Sequence, residues 1–76
     1  LTVKLFGKPI QLEMKPDETI KDIKYKIKEK ENINVELQRL VYMHKPLDDD
    51  NRTIKEYKIM PNSILYLMLR LFVNKD

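Results

Sequence analysis

The chain has 76 residues, 42% of them apolar and 36% charged, and its formal net charge is +3. This length accommodates one domain with a small core, because chains of this size bury only about 60% of their unfolded surface. The absence of cysteine excludes disulfides, thiolate nucleophiles and cysteine-based zinc sites. We therefore expect a reducing compartment, the cytoplasm or the nucleus. No apolar run is long enough to predict a membrane helix.

The chain begins with two runs in which apolar and polar residues alternate, the period of a half-buried strand. Their apolar positions are Leu1, Val3, Leu5, Ile10, Leu12 and Met14. Between the runs, Phe6-Gly7-Lys8-Pro9 combines a glycine, which accepts positive φ, with a proline that lacks a backbone donor. Two alternating runs joined by a short turn with a glycine predict a β-hairpin.

The apolar period then lengthens to that of a helix. One stripe recurs at i, i+3 and i+7 and consists of Ile20, Ile23 and Ile27. Thr19 and Asp22 have the spacing of a capping box, which marks the start of a helix. Asn32 stands where a left-handed residue commonly ends one. The pattern predicts a single substantial helix over residues 20–31.

Four further elements follow in the second half of the chain. Residues 38–42 predict a strand, with Leu40 and Tyr42 on one face and Arg39 and Val41 on the other. A turn over residues 43–45 leads into a short strand around Leu47. A second capping box heads a helical turn that ends at Ile59. The residues of this capping box are Thr53 and Glu56. The last strand is predicted from about Ile64 to Leu71.

Four segments in this order resemble ubiquitin and the ubiquitin-like domains: residues 19–27, 38–42, 52–59 and 65–71. The resemblance implies an α+β fold, the ubiquitin-like β-grasp, in which a mixed sheet of four to five strands wraps over one helix. It also implies that the first and last strands are parallel neighbours. We expect the domain to cover residues 1–72. Residues 73–76 would form a tail, or the start of a linker to the rest of a longer protein.

The chain departs from ubiquitin after Arg70-Leu71. Ubiquitin ends there in two glycines that carry its reactive carboxylate, whereas this sequence continues as Phe72-Val73-Asn74-Lys75-Asp76. Because the chain also starts without Met, we expect it to be an excerpt of a longer protein or a processed form. One hypothesis is a ubiquitin-like interaction module. The alternative is a protein modifier whose Gly-Gly tail lies beyond this sequence.

Residues that could carry catalysis or hold a metal are sparse. His44 is the single histidine and lies in a polar turn, without a nucleophile or partner acid nearby in the sequence. The acidic run 48–50 lacks the ligand spacing and the glycine turn that a hard cation requires. Gly7 is the single glycine, so no phosphate-binding loop is present. We expect a non-enzymatic protein without a cofactor, a metal or a small-molecule substrate.

The predicted helix is rich in lysine and creates a positive field, through Lys21, Lys24, Lys26, Lys28 and Lys30. Acidic residues interleave with them at spacings that allow ion pairs, namely Asp22, Glu29 and Glu31. We expect a solvated helix face, and nucleic-acid binding is retained as a third hypothesis.

The outer face of the last strand breaks the alternation, because Tyr66 and Met68 stand where polar residues are expected. In the fold that the resemblance implies, Val41 lies beside them, and the three form one exposed apolar patch. Phe6 would lie at the margin of this apolar patch. Four polar residues would surround it, namely Arg39, His44, Lys45 and Arg70.

Exposed apolar clusters ringed by polar residues commonly mark partner surfaces. In ubiquitin, the matching surface is read by most ubiquitin-binding domains. The resemblance therefore implies a monomeric module that docks ubiquitin-binding proteins, proteasome receptors or ubiquitin-pathway enzymes, with no membrane involved. The alternative is that tyrosine and methionine are present there only as good strand formers.

Overall fold

The computed structural model describes residues 1–70, in which one α-helix lies against one face of a five-stranded sheet. The elements are β1 (Thr2–Leu5), β2 (Lys8–Gln11), α1 (Ile20–Glu31), β3 (Gln38–Tyr42), β4 (Lys45–Pro46) and β5 (Ile64–Leu69). The strand order is β2-β1-β5-β3-β4, and β1 pairs with β5 in parallel while the other pairs are antiparallel. The α+β fold of a mixed sheet over one helix is confirmed. The predicted strand end at Leu71 and the tail over residues 73–76 lie outside the described residues.

The helix begins and ends where the sequence predicts, because both ends are capped. The Thr19 Oγ1 accepts a hydrogen bond from the Asp22 amide at 3.2 Å, and the Asp22 carboxylate accepts one from the Thr19 amide at 3.0 Å. At the other end, Asn32 has a φ of 57° and donates its backbone N–H to the Lys28 carbonyl at 2.7 Å. Reciprocal capping satisfies amides that a helix otherwise leaves without partners.

The two hairpin turns are tighter than the sequence predicts, since each has only two central residues. Residues 6–7 and 43–44 all have positive φ, between 51° and 80°. This is the type I′ geometry, whose twist matches that of the flanking strands. Pro9 and Lys45, predicted in turns, therefore lie in β2 and β4. Leu47, predicted within the short strand, follows directly after it.

The core lies between α1 and the inner face of the sheet. Its buried apolar residues are Val3, Leu5, Ile10, Leu12, Ile20, Ile23, Ile27, Leu40, Leu47, Ile54, Ile59, Leu65 and Leu67. Most of them follow the predicted helix stripe and strand alternation. Leu1, one of the apolar positions of the first alternating run, is only partly buried. Leu47 and Ile54 complete the core from irregular segments, where no period of the sequence predicts burial.

The segment around residues 50–55 holds the start of the helix in place. The backbone N–H of Ile20 donates to the Arg52 carbonyl at 3.0 Å, and that of Ile54 donates to the Glu18 carbonyl at 2.9 Å. The predicted capping box at Thr53 is also present, since the Thr53 Oγ1 accepts a hydrogen bond from the Glu56 amide at 3.0 Å. This single turn therefore positions Ile54 in the core while it contacts the beginning of α1.

Two lysines of α1 are engaged in ion pairs with residues outside the helix. Lys24 is buried, with 4% of its surface exposed, and its Nζ donates to the Asp50 carboxylate at 2.8 Å. The Lys26 Nζ donates to the Glu18 carboxylate at 2.8 Å and to the Glu13 carbonyl at 2.6 Å. The expectation that all helix lysines face solvent is wrong for Lys24. Burial of this lysine is possible because its ammonium pairs with the partly exposed carboxylate of Asp50.

The contact between Lys26 and Glu18 changes the pKa of the Glu18 carboxyl group. The hydrogen bond from Lys26 lowers the pKa of Glu18 below its ordinary 4.5, and the hydrogen bond from the Lys15 amide acts in the same direction. Partial desolvation opposes this effect without reversing it. Ionised Glu18 is therefore favoured by the folded state.

The buried stripe of α1 predicts a large effect of truncation at Ile27, which is fully buried. Ile27→Ala should lower the free energy of unfolding by about 2–5 kcal/mol, since it removes methyl groups and leaves a cavity. Denaturant unfolding measures the change. Ile64→Ala, the same truncation on the exposed face, is the matched control and should cost about 1 kcal/mol or less. Equal losses at the two positions would contradict the assignment of this stripe to the core.

The lowered pKa of Glu18 predicts a pH dependence with a definite sign. Because the folded state prefers the carboxylate, its contribution is present above the unfolded pKa and is lost as pH falls below 4.5 through the folded pKa. Glu18→Gln should therefore flatten the decline in the free energy of unfolding between pH 5 and acid, measured by denaturation at a series of pH values. Lys26→Gln should flatten it similarly, and the double variant no further. An unchanged pH profile in Glu18→Gln would refute the assignment.

Candidate functional site

The outer face of the sheet, on the side away from α1, carries a row of side chains that crosses all five strands. Residues paired across neighbouring strands share a face of the sheet. The strand registers give this row in the order Pro9, Lys4, Tyr66, Val41 and Pro46. Tyr66 and Val41 are directly paired at its centre, so the neighbour relation that the resemblance implies is present.

A shallow depression lies on this face. Five of the eight residues predicted from the sequence line it, namely Phe6, Val41, His44, Tyr66 and Met68. The exposed fractions are 83% for Phe6, 51% for Tyr66 and 57% for Met68. Val41 is half-buried rather than freely exposed, because it is flanked by Tyr66 and Pro46 on the adjacent strands.

Lys4 and Met43 also line the depression, although neither is among the residues predicted for the apolar patch or its border. Lys4 belongs to the polar face of the first strand, and only the parallel register with β5 places it beside Tyr66. Met43 is 74% exposed and was assigned to a polar turn. The signal that could have identified it is a large apolar residue at a turn position that usually carries asparagine or glycine.

Arg39 is paired with Met68, so it lies at the Met68 end of the apolar patch. Arg70 follows β5 and lies at the same end. Both guanidinium groups approach the Asp48 carboxylate, at 3.4 Å from Arg39 and 3.9 Å from Arg70. All three side chains are substantially exposed, and exposed ion pairs of this kind contribute little to stability. The two arginines can therefore exchange Asp48 for a carboxylate on another molecule.

The position of Lys45 follows from its strand pairing. It is paired with Tyr42, whose face of the sheet is opposite to that of Val41. Its Nζ lies 5.9 Å from the centroid of the Tyr57 ring, a distance compatible with a cation–π contact. Lys45 therefore lies on the opposite face from Val41, because successive side chains of a strand point to alternate faces, and its place at the border of the apolar patch stays a prediction.

Both edge strands of the sheet contain a proline. In a two-residue hairpin the residues next to the turn form a hydrogen-bonded pair and the following residues do not. Pro9 and Pro46 occupy this second position, so their backbone nitrogens point away from the sheet. Proline nitrogen has no hydrogen to donate. Each edge therefore lacks a donor that an added strand would require.

Three further observations concern the helix lysines, possible metal ligands and helix length in the described part of the chain. Lys24 and Lys26 of the predicted positive face are paired with carboxylates, which leaves Lys21, Lys28 and Lys30 exposed. Within residues 1–70, no group of three or more histidine, aspartate or glutamate side chains is arranged to hold a metal ion. Across the same residues, no helix has the length and apolarity to cross a membrane.

Comparison with known proteins identifies the family. Residues 1–72 match the model of the ubiquitin family. Ubiquitin-like protein 1 of Schizosaccharomyces pombe is 37% identical over 67 residues, which is 88% of this chain and 85% of that protein. Ubiquitin-like protein NEDD8 of Dictyostelium discoideum is 39% identical, over 88% of this chain and 86% of its own length. Ubiquitin-like protein 4A of Mus musculus is 38% identical over 92% of this chain but only 45% of its own length. The chain therefore belongs to the ubiquitin family.

Proposed function

We propose that this domain is a non-enzymatic interaction module that docks ubiquitin receptors, proteasome subunits or ubiquitin-pathway enzymes through its apolar patch. The observation that carries the proposal is the depression on the outer face, where exposed Phe6, Tyr66 and Met68 adjoin Val41. Polar and basic residues surround them, as is typical of partner surfaces. Members of this family are generally non-enzymatic modifiers or interaction modules, which agrees with this assignment. The proposed location is the cytoplasm or the nucleus, and the proposed state is a monomer.

The kind of partner follows from the edges and the charges of the sheet. Because Pro9 and Pro46 remove donors from the two edges, a partner is better accommodated across the outer face than as an added strand. An amphipathic helix satisfies its own backbone and needs only a face on which to bury apolar side chains. Lys4, Arg39 and Arg70 on this side favour carboxylates on the helix.

The size of the apolar patch predicts a modest affinity. A contact with Val41, Tyr66 and Met68 removes a few hundred Å² of apolar surface from water, which at about 25 cal/mol per Å² gives several kcal/mol. The loss of translational and rotational freedom opposes much of this gain. The net result is a dissociation constant on the order of micromolar.

Charge placed in the apolar patch should abolish docking. Met68→Asp and Val41→Asp both bury an unpaired carboxylate under the partner, which is costly. A chemical-shift titration with an acidic ubiquitin-interacting helix should saturate in the micromolar range for the wild type and show no saturation for either variant. Met68 is exposed, so Met68→Asp should keep its fold, whereas half-buried Val41→Asp requires a parallel measurement of stability.

A control for this experiment reverses charge on the helix instead. Lys21→Glu combined with Lys28→Glu changes exposed lysines that lie away from the outer face, and should leave the affinity close to that of the wild type. Loss of binding in this variant together with retention in Met68→Asp would mean that the helix, and not the outer face of the sheet, is the docking surface. Failure of the wild type to bind any such helix would contradict the proposed function.

A second candidate function is that of a protein modifier. It is favoured by the comparison, because the chain spans about 85% of two relatives, ubiquitin-like protein 1 and a NEDD8, and less than half of ubiquitin-like protein 4A. The open reading frame after Asp76 discriminates the two functions. A Gly-Gly terminus close by supports the modifier, and a further domain supports the module.

The 76-residue polypeptide itself should not be activated. Activation by a ubiquitin-activating enzyme requires a bare Gly-Gly tail, and Val73 and Asn74 carry side chains at those positions, followed by Lys75 and Asp76. An adenylation assay should therefore detect no thioester with this polypeptide, with ubiquitin as the positive control. A thioester on the 76-residue polypeptide would favour the modifier over the module.

A further inference from the structure

Two hairpin turns beside the depression contain residues in an unfavourable backbone conformation. Among the non-glycine residues of the described chain, Phe6 and Met43 have a φ of 51° and His44 a φ of 67°. The left-handed region is sterically costly for side chains such as phenylalanine and methionine, and asparagine or glycine is the usual choice in such turns. The side chains of Phe6 and Met43 are mostly exposed, so their burial contributes little stability to offset the cost of this backbone conformation.

The two turns lie at opposite ends of the depression. β1 runs parallel to β5, so the turn after Leu5 lies towards Met68. β3 runs antiparallel to β5, so the turn after Tyr42 lies towards Ile64. Phe6 and Met43 both line the depression from these two sides. A partner that binds over Tyr66 would therefore contact Phe6 at one end of the depression and Met43 at the other.

We propose that Met43 is a docking residue which, opposite Phe6, contacts the amphipathic helix that binds on the outer face. The proposal rests on the proposed function and adds a contact outside the apolar patch. Residues in strained backbone conformations cluster at functional sites. Methionine is unbranched and polarisable, so it adapts to irregular apolar surfaces.

The chemistry of the occupant is that of an acidic amphipathic helix. Lys4 and His44 line the same depression, and Arg39 and Arg70 lie at its Met68 end, so the surface offers several donors for carboxylates. A partner strand is disfavoured, since proline removes a donor from each edge of the sheet. The helix is therefore expected to present apolar residues to Tyr66 and acidic residues to the rim.

The test uses substitutions that relieve the backbone while removing the apolar side chain. Met43→Asn and Phe6→Asn place a residue that tolerates positive φ, and Phe6→Asn creates the Asn-Gly pair that type I′ turns favour. The melting temperature should stay constant or rise by about 4 °C. The affinity for a synthetic acidic ubiquitin-interacting helix, measured by chemical-shift titration, should fall about five- to tenfold. A fall in affinity without a fall in melting temperature cannot arise from loss of the fold.

Two matched controls separate the contact from the backbone effect. Met60→Asn removes an exposed methionine that does not line the depression, and should leave the affinity unchanged. Lys58 has a φ of 60° and also lies outside the depression, so Lys58→Asn should raise the melting temperature without changing the affinity.

The outcomes distinguish this inference from the proposed function. Wild-type affinity in Met43→Asn, with binding lost in Met68→Asp, overturns the role of Met43 and leaves the apolar patch as the docking surface. A fall in both melting temperature and affinity in Met43→Asn also overturns it, because the fold then requires this methionine. No binding by the wild type contradicts the proposed function itself. Concentration-dependent shifts without the helix would identify a second copy of the chain as the occupant and overturn the inference.

Discussion

β1 and β5 are parallel neighbours at the centre of the sheet, and the positions of the other elements depend on this pairing. Parallel neighbours cannot be joined by a tight turn, so the chain between them has to cross one face of the sheet. α1 lies in this crossing and fills the inner face with Ile20, Ile23 and Ile27. The same pairing places Lys4 next to Tyr66 on the outer face. One register thus determines both the core and the composition of the depression.

The start of α1 is fixed by contacts with a distant segment rather than by the helix alone. Backbone hydrogen bonds connect Ile20 to Arg52 and Ile54 to Glu18, and an ion pair connects buried Lys24 to partly exposed Asp50. A helix of 12 residues is marginal on its own, so these tertiary contacts are needed to hold it. The ion pair with Asp50 also neutralises the charge of Lys24, which would otherwise contribute to a positive helix face.

The sequence predicts elements whose information is local. The helix bounds agree with the structure because a capping box and a left-handed asparagine mark them, and the strand alternation predicts which face holds Leu40 or Leu65. Non-local information is missing from such patterns. Burial of Lys24 depends on a carboxylate 26 residues away.

The candidate site also contains residues that local patterns predict and residues that depend on non-local contacts. Tyr66 and Met68 are identified from their own strand, because they break its alternation. Lys4 requires the register between strands, and the face occupied by Lys45 requires its pairing with Tyr42. The position of Met43 is not predictable from its residue type, because methionine rarely occupies the turn conformation that it adopts here.

The burial of the Lys24 ammonium gives this domain an internal reporter of local opening. Amine-acylating reagents need a free, solvent-exposed amine, and the side chain of Lys24 is 6% exposed and held by Asp50. Acylation of Lys24 therefore requires the segment around Asp50 to separate from the helix, so its rate follows the population of that opened state. Lys21, on the exposed side of the same helix, is labelled without any opening. The ratio of the two labelling rates measures how often the helix start is released in the native protein.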